Sequence, residues 1–460
     1  MTRATGSAIG GGPLSNGRDG LGDDHLALRW LGDNPSPIAA PADLTALSNE
    51  TRVNTATTLD QADSAVTGLL NGGFVVVWAS NGQDGSSHGV YGQRYNAAGA
   101  AVGGEFPINS TTAGSQAIPS VSALDDGGFV VTWRGSDADG FGVFGQRYAA
   151  NGAAAGGEFA VNQTTSQAQD GASVTGLVGG GFVVVWESFG QDGSDEGIYA
   201  RAYGANGAPL GNEFRINQTT VSAQAYPTVA ATADGGFAVS WASFHQDGSF
   251  TYNIYARTYD ANLAASAEFP VNTTTAGAQT IPAAAGLLGG GFVIAWYSTG
   301  QDGGTIGVYA QRYGANGAPV GGEFLVNETS AGDQLYPSVT ALANGGFAIS
   351  WQSNGQDGAG AGTYARAFTG DGLGGDEILV NQTTAGEQAT SDFSHQSIAG
   401  LIDGSLVVTW EGNGPGDADG IFQRRFDVED VTIPGGAGAD SLVGGAGGEQ
   451  LEGKGGADTL

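Results

Sequence analysis

The sequence predicts an all-β chain whose main body is a seven-bladed β-propeller of four-stranded antiparallel blades. Three observations predict it. A unit ending in tryptophan recurs at Trp78, Trp133, Trp186, Trp241, Trp296, Trp351 and Trp410, with spacings of 55, 53, 55, 55, 55 and 59. Each unit divides into four short strand-like segments separated by Gly-rich turns, and no segment sustains a 3.6-residue apolar period. The two ends of the repeat array are out of phase in a complementary way, as described below.

The first strand of a unit is small and alternating, as in Pro119–Leu124. A turn such as Asp126-Gly127 follows, which is a strong two-residue hairpin signal. The second strand, as in Phe74–Trp78, is continuously apolar and β-branched and suits burial on both faces. A loop carrying Gly-Gln-Asp-Gly leads to a third strand of the form Tyr-x-[Gln/Arg]-x-Tyr, as in Tyr91–Tyr95. The fourth strand, Glu105–Asn109 in the first full unit, puts Phe106 and Ile108 on one face and Glu105 and Asn109 on the other.

The array begins with a fourth-strand motif, Glu50–Asn54, and ends after a third strand, Phe422–Phe426. If the fourth strand is outermost, the N-terminal strand completes the last blade and closes the ring, leaving no open sheet edge. An open β-solenoid is the alternative; it needs no such interlock. The expected organisation is a flexible segment over 1–49, the propeller over 50–429, and a separate tail over 430–460.

Several polar residues keep the same beat. Glu50, Glu105, Glu158, Glu213, Glu268, Glu323 and Glu377 each precede an Asn by four, and each Asn precedes a Gln by seven. A residue present seven times is expected to hold the blade, with the amides satisfying a Thr-rich crossing loop. The third strands carry 8 of the 15 basic residues. Arginines spread one per blade form no basic patch, and blade-to-blade pairing with acids is expected. Two loops read Asp-Ala-Asp-Gly, with Asp137 and Asp139 in one and Asp417 and Asp419 in the other. Each is a weak alternative cation site, because two carboxylates converge there, although two are too few for a calcium shell.

Composition excludes several classes. The formal net charge is −31, from 15 basic and 46 acidic residues, which repels nucleic acid and anionic membrane. No run of 18 apolar residues could span a bilayer. There is no Cys, and the four histidines fall at unrelated repeat positions. No HExxH, G-x-S-x-G or phosphate-loop pattern occurs. If the first strands line the axis, the channel is walled by small residues such as Ala283, Ala284 and Ala285. No catalytic constellation is visible, so no enzymatic activity is expected. The least repetitive polar cluster, Asp392-Phe393-Ser394-His395, is where activity would be sought.

The last 26 residues change to a nine-residue period, GGAGADSLV, GGAGGEQLE, GKGGADTL. Glycines permit tight turns, the acid offers oxygen ligands, and the leucine fills a narrow core. This closely resembles the RTX (hemolysin-type) calcium-binding nonapeptide GGxGxDxUx. The resemblance implies the start of a parallel β-roll, with two nonapeptides per coil and calcium between turns. It assigns calcium to Gly436, Gly438, Asp440, Gly445, Gly447, Glu449, Gly456 and Asp458. Asp440 and Asp458, eighteen residues apart, would share a side; Glu449 stands in place of Asp and Lys454 in place of Gly.

The repeat units also look like those of long bacterial RTX-type proteins. That resemblance implies type I secretion and an extracellular location. The expected function is a secreted, monomeric calcium-binding protein whose propeller is a binding or surface-display (adhesion) module, with glycans or surface proteins as partners. The alternatives are a multivalent lectin-like module and an accessory part of an extracellular polysaccharide-degrading enzyme.

Overall fold

The computed structural model describes residues 42–391 and 396–429, and the backbone of two short strands, Ile433–Pro434 and Leu451–Glu452. Seven antiparallel sheets surround one axis, and no helix occurs among the described residues. The first strands are Gln61–Gly68, Gln116–Ala123, Gln169–Leu177, Gln224–Ala231, Gln279–Gly286 and Gln334–Ala341 in blades 1 to 6. In blade 7 the first strand is split into Gln388–Ala389 and Ile398–Gly400.

The apolar second strands behave as the sequence predicts. In blade 1, Val75 and Val77 face blade 2 and pack with Val131 and Trp133. Phe74, Val76 and Trp78 face blade 7 and pack with Val407 and Ile421. Both faces are therefore buried, which is why the run has no polar alternation. All seven repeat tryptophans are buried. A Phe–Tyr pair stacks near the base of the blade, with ring centroids 4.6 Å apart for Phe74–Tyr95 and for Phe182–Tyr203.

The repeated polar residues are scaffold. Each Asn accepts a bond from a third-strand amide, as Asn109 Oδ1 does from Val90 N at 2.7 Å. In five of the seven repeats its amide donates to the Gln seven residues on, as Asn162 does to Gln169 Oε1 at 2.9 Å. Each Glu reaches the crossing loop of the preceding blade. Glu213 accepts from Gln163 N at 2.5 Å and from Thr164 Oγ1 at 2.5 Å, and Gln191 of the Gly-Gln-Asp-Gly loop donates to the same carboxylate at 2.8 Å.

The arginines join neighbouring blades, but mainly through backbone carbonyls rather than acids. Arg201, Arg257 and Arg424 reach back to Val161, Ile216 and Val380 carbonyls at 2.8–2.9 Å. Arg147 and Arg312 reach forward to Ala205 and Gly370 carbonyls. Third-strand arginines make acid pairs only at Arg147–Asp126, Arg366–Glu328 and Arg425–Asp403 among the described residues. The expectation of blade-to-blade acid pairing is met at Arg366–Glu328, while most of the arginines bond carbonyls because the guanidinium lies beside an outer strand, whose outward carbonyls need donors.

The ring closes as the end phases predict. Thr51 and Arg52 pair with Gln423 and Phe422, and Leu44–Ala46 adds a second stretch of pairing to the same strand, within the segment read as flexible. Asn54 Oδ1 accepts from Ile421 N at 2.8 Å, and Glu50 accepts from Gln382 N at 2.6 Å and Thr383 Oγ1 at 2.8 Å. The N-terminal strand thus makes, across the seam, the strand pairing and the Asn and Glu contacts to backbone amides that recur around the ring.

The first strands surround an axial channel of about 310 Å³ lined by small residues such as Thr67, Ser122, Thr175, Ala230 and Ala285. Gln396 of blade 7 crosses it. Its carbonyl accepts from Val66 N at 2.9 Å, and its side chain accepts from Ser120 Oγ at 3.1 Å and Val121 N at 2.9 Å.

Candidate functional site

In blades 1 to 6 the first strand gains one residue opposite the tryptophan of the second. In blade 1, Ala62 pairs with Ala79 and then Ala65 with Val77, leaving Asp63 and Ser64 opposite Trp78. Such bulges bend a strand and re-aim side chains. The bulged residue has positive φ in every case: Asp63 56°, Ile118 53°, Gly171 58°, Tyr226 57°, Ile281 53° and Tyr336 51°. For a non-glycine residue this costs about 1 kcal/mol or more, a strain concentrated at functional sites. In blade 7 the pairing is interrupted over a longer stretch of sequence, Ala389 pairing with Glu411 and Ile398 with Val408.

The bulges gather unlike side chains at one end of the axis, and neighbouring blades tie them together. Glu411 of blade 7 accepts from Asp63 N at 2.7 Å, and Asp63 Oδ2 accepts from Ile118 N at 3.3 Å. Asp170 of blade 3 lies directly across from Glu187, and Arg134 of blade 2 forms an ion pair with Asp170 at 2.9 Å. Arg134 also lies over the Phe141 ring at 4.5 Å. Glu187 Oε1 accepts from Tyr226 N of blade 4 at 2.5 Å. Tyr297 of blade 5 meets Tyr336 of blade 6 edge-on, with centroids 6.2 Å apart. Asp63, Arg134, Asp170, Glu187, Tyr226, Tyr297, Tyr336 and Glu411 are all half-buried.

The electrostatics single out Glu187. Burial of its carboxyl group pushes its pKa up to about 7, and the charges of Asp170 and Glu196 add to this against the Tyr226 amide. Glycine at 171 has a local reason, because a Cβ there would lie 3.1 Å from Glu187 Oε1. Burial, with Tyr336 and Tyr226 beside it, pushes the Tyr297 hydroxyl up to about 12.

Of the sequence-predicted sites, only the two Asp-Ala-Asp-Gly loops lie within the described residues. Gly436, Gly438, Asp440, Gly445, Gly447, Glu449, Gly456 and Asp458 lie outside the described residues, as does Asp392–His395. Asp137 Oδ1 accepts from Asp139 N at 3.0 Å, and Asp417 Oδ1 from Asp419 N at 3.3 Å, so each pair is a carboxylate capping its own turn. No group of three or more His, Asp or Glu among the described residues is placed to hold a metal ion. The bulge-end cluster was missed by a reading that followed what repeats. Its signal is the position after each tryptophan, which reads Ala79, Arg134, Glu187, Ala242, Tyr297, Gln352 and Glu411 while its surroundings stay constant.

No protein-family model matches the chain, and no curated protein matches it. Solved structures do. A protein of unknown function from Dyadobacter fermentans matches with TM-score 0.51 and 11% identity, over 84% of this chain and 99% of that one. An α-L-arabinofuranosidase from Fusarium graminearum matches with TM-score 0.41 and 13% identity, over 67% and 91%. A Hadza microbial sialidase matches with TM-score 0.46 and 8% identity, over 81% and 66%. At these identities the likeness is one of fold. The expectation of no enzymatic activity is corrected in its premise by the chain's own geometry: Glu187 lies across from Asp170 and accepts from the Tyr226 amide, and Tyr297 meets Tyr336, so a grouping of titratable side chains exists where none is foreseen from the sequence.

Among the described residues no helix is long and apolar enough to cross a membrane.

Proposed function

We propose that the propeller recognises carbohydrate at the bulge end of its axis. The observation that carries this is that Tyr226, Tyr297 and Tyr336 and Asp63, Asp170, Glu187 and Glu411 stand at or across from the bulged stretches and are linked from one blade to the next. Tyrosine faces cover the C–H faces of a sugar ring, and carboxylates accept bonds from its hydroxyls. Four acids face a single arginine that is already paired, so neutral sugars are favoured over anionic ones. Calorimetry of the full chain against neutral and uronic oligosaccharides tests this. Binding of neutral glycans is expected, weakened about tenfold or more, ~1.4 kcal/mol, by Tyr297→Ala. Failure to bind either class overturns the proposal.

A second reading, glycoside hydrolysis, is favoured by Glu187. A carboxyl group held protonated near neutral pH beside an ion-paired carboxylate is suited to donate its proton to a glycosidic oxygen as the bond to the sugar carbon breaks and water adds there.

The tail is proposed to be an RTX-type calcium-binding roll of a secreted protein. Supporting this, Ile433–Pro434 pairs in parallel with Leu451–Glu452, in a register of eighteen residues, the length of two nonapeptides. Calcium titration of the full chain, followed by circular dichroism, should show added β-structure that is lost on joint Asp440→Asn and Asp458→Asn substitution. A spectrum indifferent to calcium would count against the tail's assignment.

A further inference from the structure

We propose that the ligand is an extended glycan chain and that blade 4 carries its track, an aromatic line running from Tyr226 at the axis through Phe244 and Tyr252 to Phe250 at the rim. This rests on the carbohydrate reading above and adds the direction and length of the ligand.

Blade 4 is built unlike its siblings at this end. Its register sets Ala225 against Ala242 and Phe244 against Tyr252, so three successive strands bring Tyr226, Phe244 and Tyr252 to the same edge. Phe244 and Tyr252 are in ring contact, with centroids 5.1 Å apart. At the place of Phe244 the other blades have Asn81, Ser136, Phe189, Thr299, Asn354 and Asn413. At the place of Tyr252, blades 1, 2, 3, 5 and 6 have His88, Phe141, Glu196, Ile306 and Ala361, so among these blades only blade 4 sets two aromatic rings across from each other.

The loop beyond supplies the decisive detail. Its sibling loops begin with glycine in the left-handed region: Gly82 at 69°, Gly190 at 70°, Gly300 at 75° and Gly355 at 78°. Blade 4 places His245 there, at 64°. The strain of a non-glycine residue at this φ is accepted, and the imidazole packs on Phe250, with centroids 4.5 Å apart. His245 Nδ1 is also bonded to the Ser249 carbonyl, which pins the loop. Thr251 stands where the siblings have Ser87, Asp195, Thr305 and Gly360, so this loop is one residue longer than theirs; Phe250 precedes Thr251 in it and is 82% exposed.

A strained histidine therefore holds a phenyl ring out in water. Folding alone gives no reason for this, since burying that ring would be favourable. A chain of sugar rings leaving the axial mouth would cover it. Asp195 and Glu196 of blade 3 and Asp247 of the loop border the track, which again favours a neutral chain.

The test uses the full chain and calorimetry against di- to hexasaccharides of the neutral glycan that binds best. Affinity should rise with length for the wild type. Phe250→Ala should weaken the hexasaccharide about tenfold and leave the disaccharide within about twofold. His245→Gly, which restores the sibling residue, should give a smaller loss in the same direction. Equal affinity for short and long chains, or an unchanged hexasaccharide affinity in Phe250→Ala, overturns the track while leaving the axial site standing. If the wild type binds no oligosaccharide, the carbohydrate reading falls and the track with it.

Discussion

A chain lacking residues 1–54 loses cooperative unfolding and aggregates. The deletion removes the pairing of Leu44–Ala46 and Thr51–Arg52 with the third strand of blade 7. It also removes the acceptor for Ile421 N and the Glu50 carboxylate that holds Gln382 and Thr383. Each buried bond left unmade costs roughly 1–3 kcal/mol, against a total stability on the order of 5–15 kcal/mol. The strand so exposed carries Phe422 and Phe426, both buried in the intact ring, and a bare apolar edge invites pairing with another chain. Thermal unfolding with light scattering reads the result. Glu50→Ala is the milder form and should lower stability by about 2–4 kcal/mol, because three bonds share that carboxylate. An unchanged midpoint in the deleted chain would mean that blade packing alone holds the ring.

Glu187→Gln should stabilise the protein above neutral pH and leave it nearly unchanged in acid. The folded-state pKa of about 7 lies above the ordinary value of 4.5. Below pH 4.5 the group is protonated in both states and folding is not penalised. As pH rises from 4.5 to 7 the unfolded chain releases the proton while the fold retains it, so wild-type stability falls through this window. Discounted for the half-exposure of the residue, the loss is on the order of 2 kcal/mol. Glutamine keeps the acceptor for Tyr226 N and removes the titration. Denaturant midpoints of the two proteins across pH 4–8 isolate the group, since every other carboxylate is common to both. Parallel profiles would dismiss it. If the protein also releases reducing sugar from glycans, that activity should vanish in the variant while binding persists.

The fold was legible because repetition exposed it. The tryptophan beat located seven second strands, and the mismatched ends located the seam. Residues whose task recurs, such as Asn162 and Glu213, could be read as scaffold before their bonds were seen. The bulge-end cluster was not legible in that way. Glu187 and Tyr297 occupy the same repeat position as the fully buried Ala79 and Ala242. What sets them apart is a partner near the bulge, Asp170 for Glu187 and Tyr336 for Tyr297, and no turn signal in Gln-Ala-Tyr-Pro or Gln-Leu-Tyr-Pro announces a left-handed tyrosine. The arginine partners were misjudged for a related reason: charge counting points to acids, whereas the strand edge offers carbonyls.

Those arginine contacts decide how the ring responds to ionic strength. With a formal net charge of −31, the folded chain repels itself. Many of its few cations are spent on neutral carbonyls and on aromatic faces, as Arg257 is on Ile216 and Tyr259. Dissolved salt screens the repulsion between acids, and it has little hold on a half-buried bond to a carbonyl. The blades are thus fastened by positive charge in a form that concentrated electrolyte does not loosen, and a briny medium relaxes the ring's one large electrostatic burden.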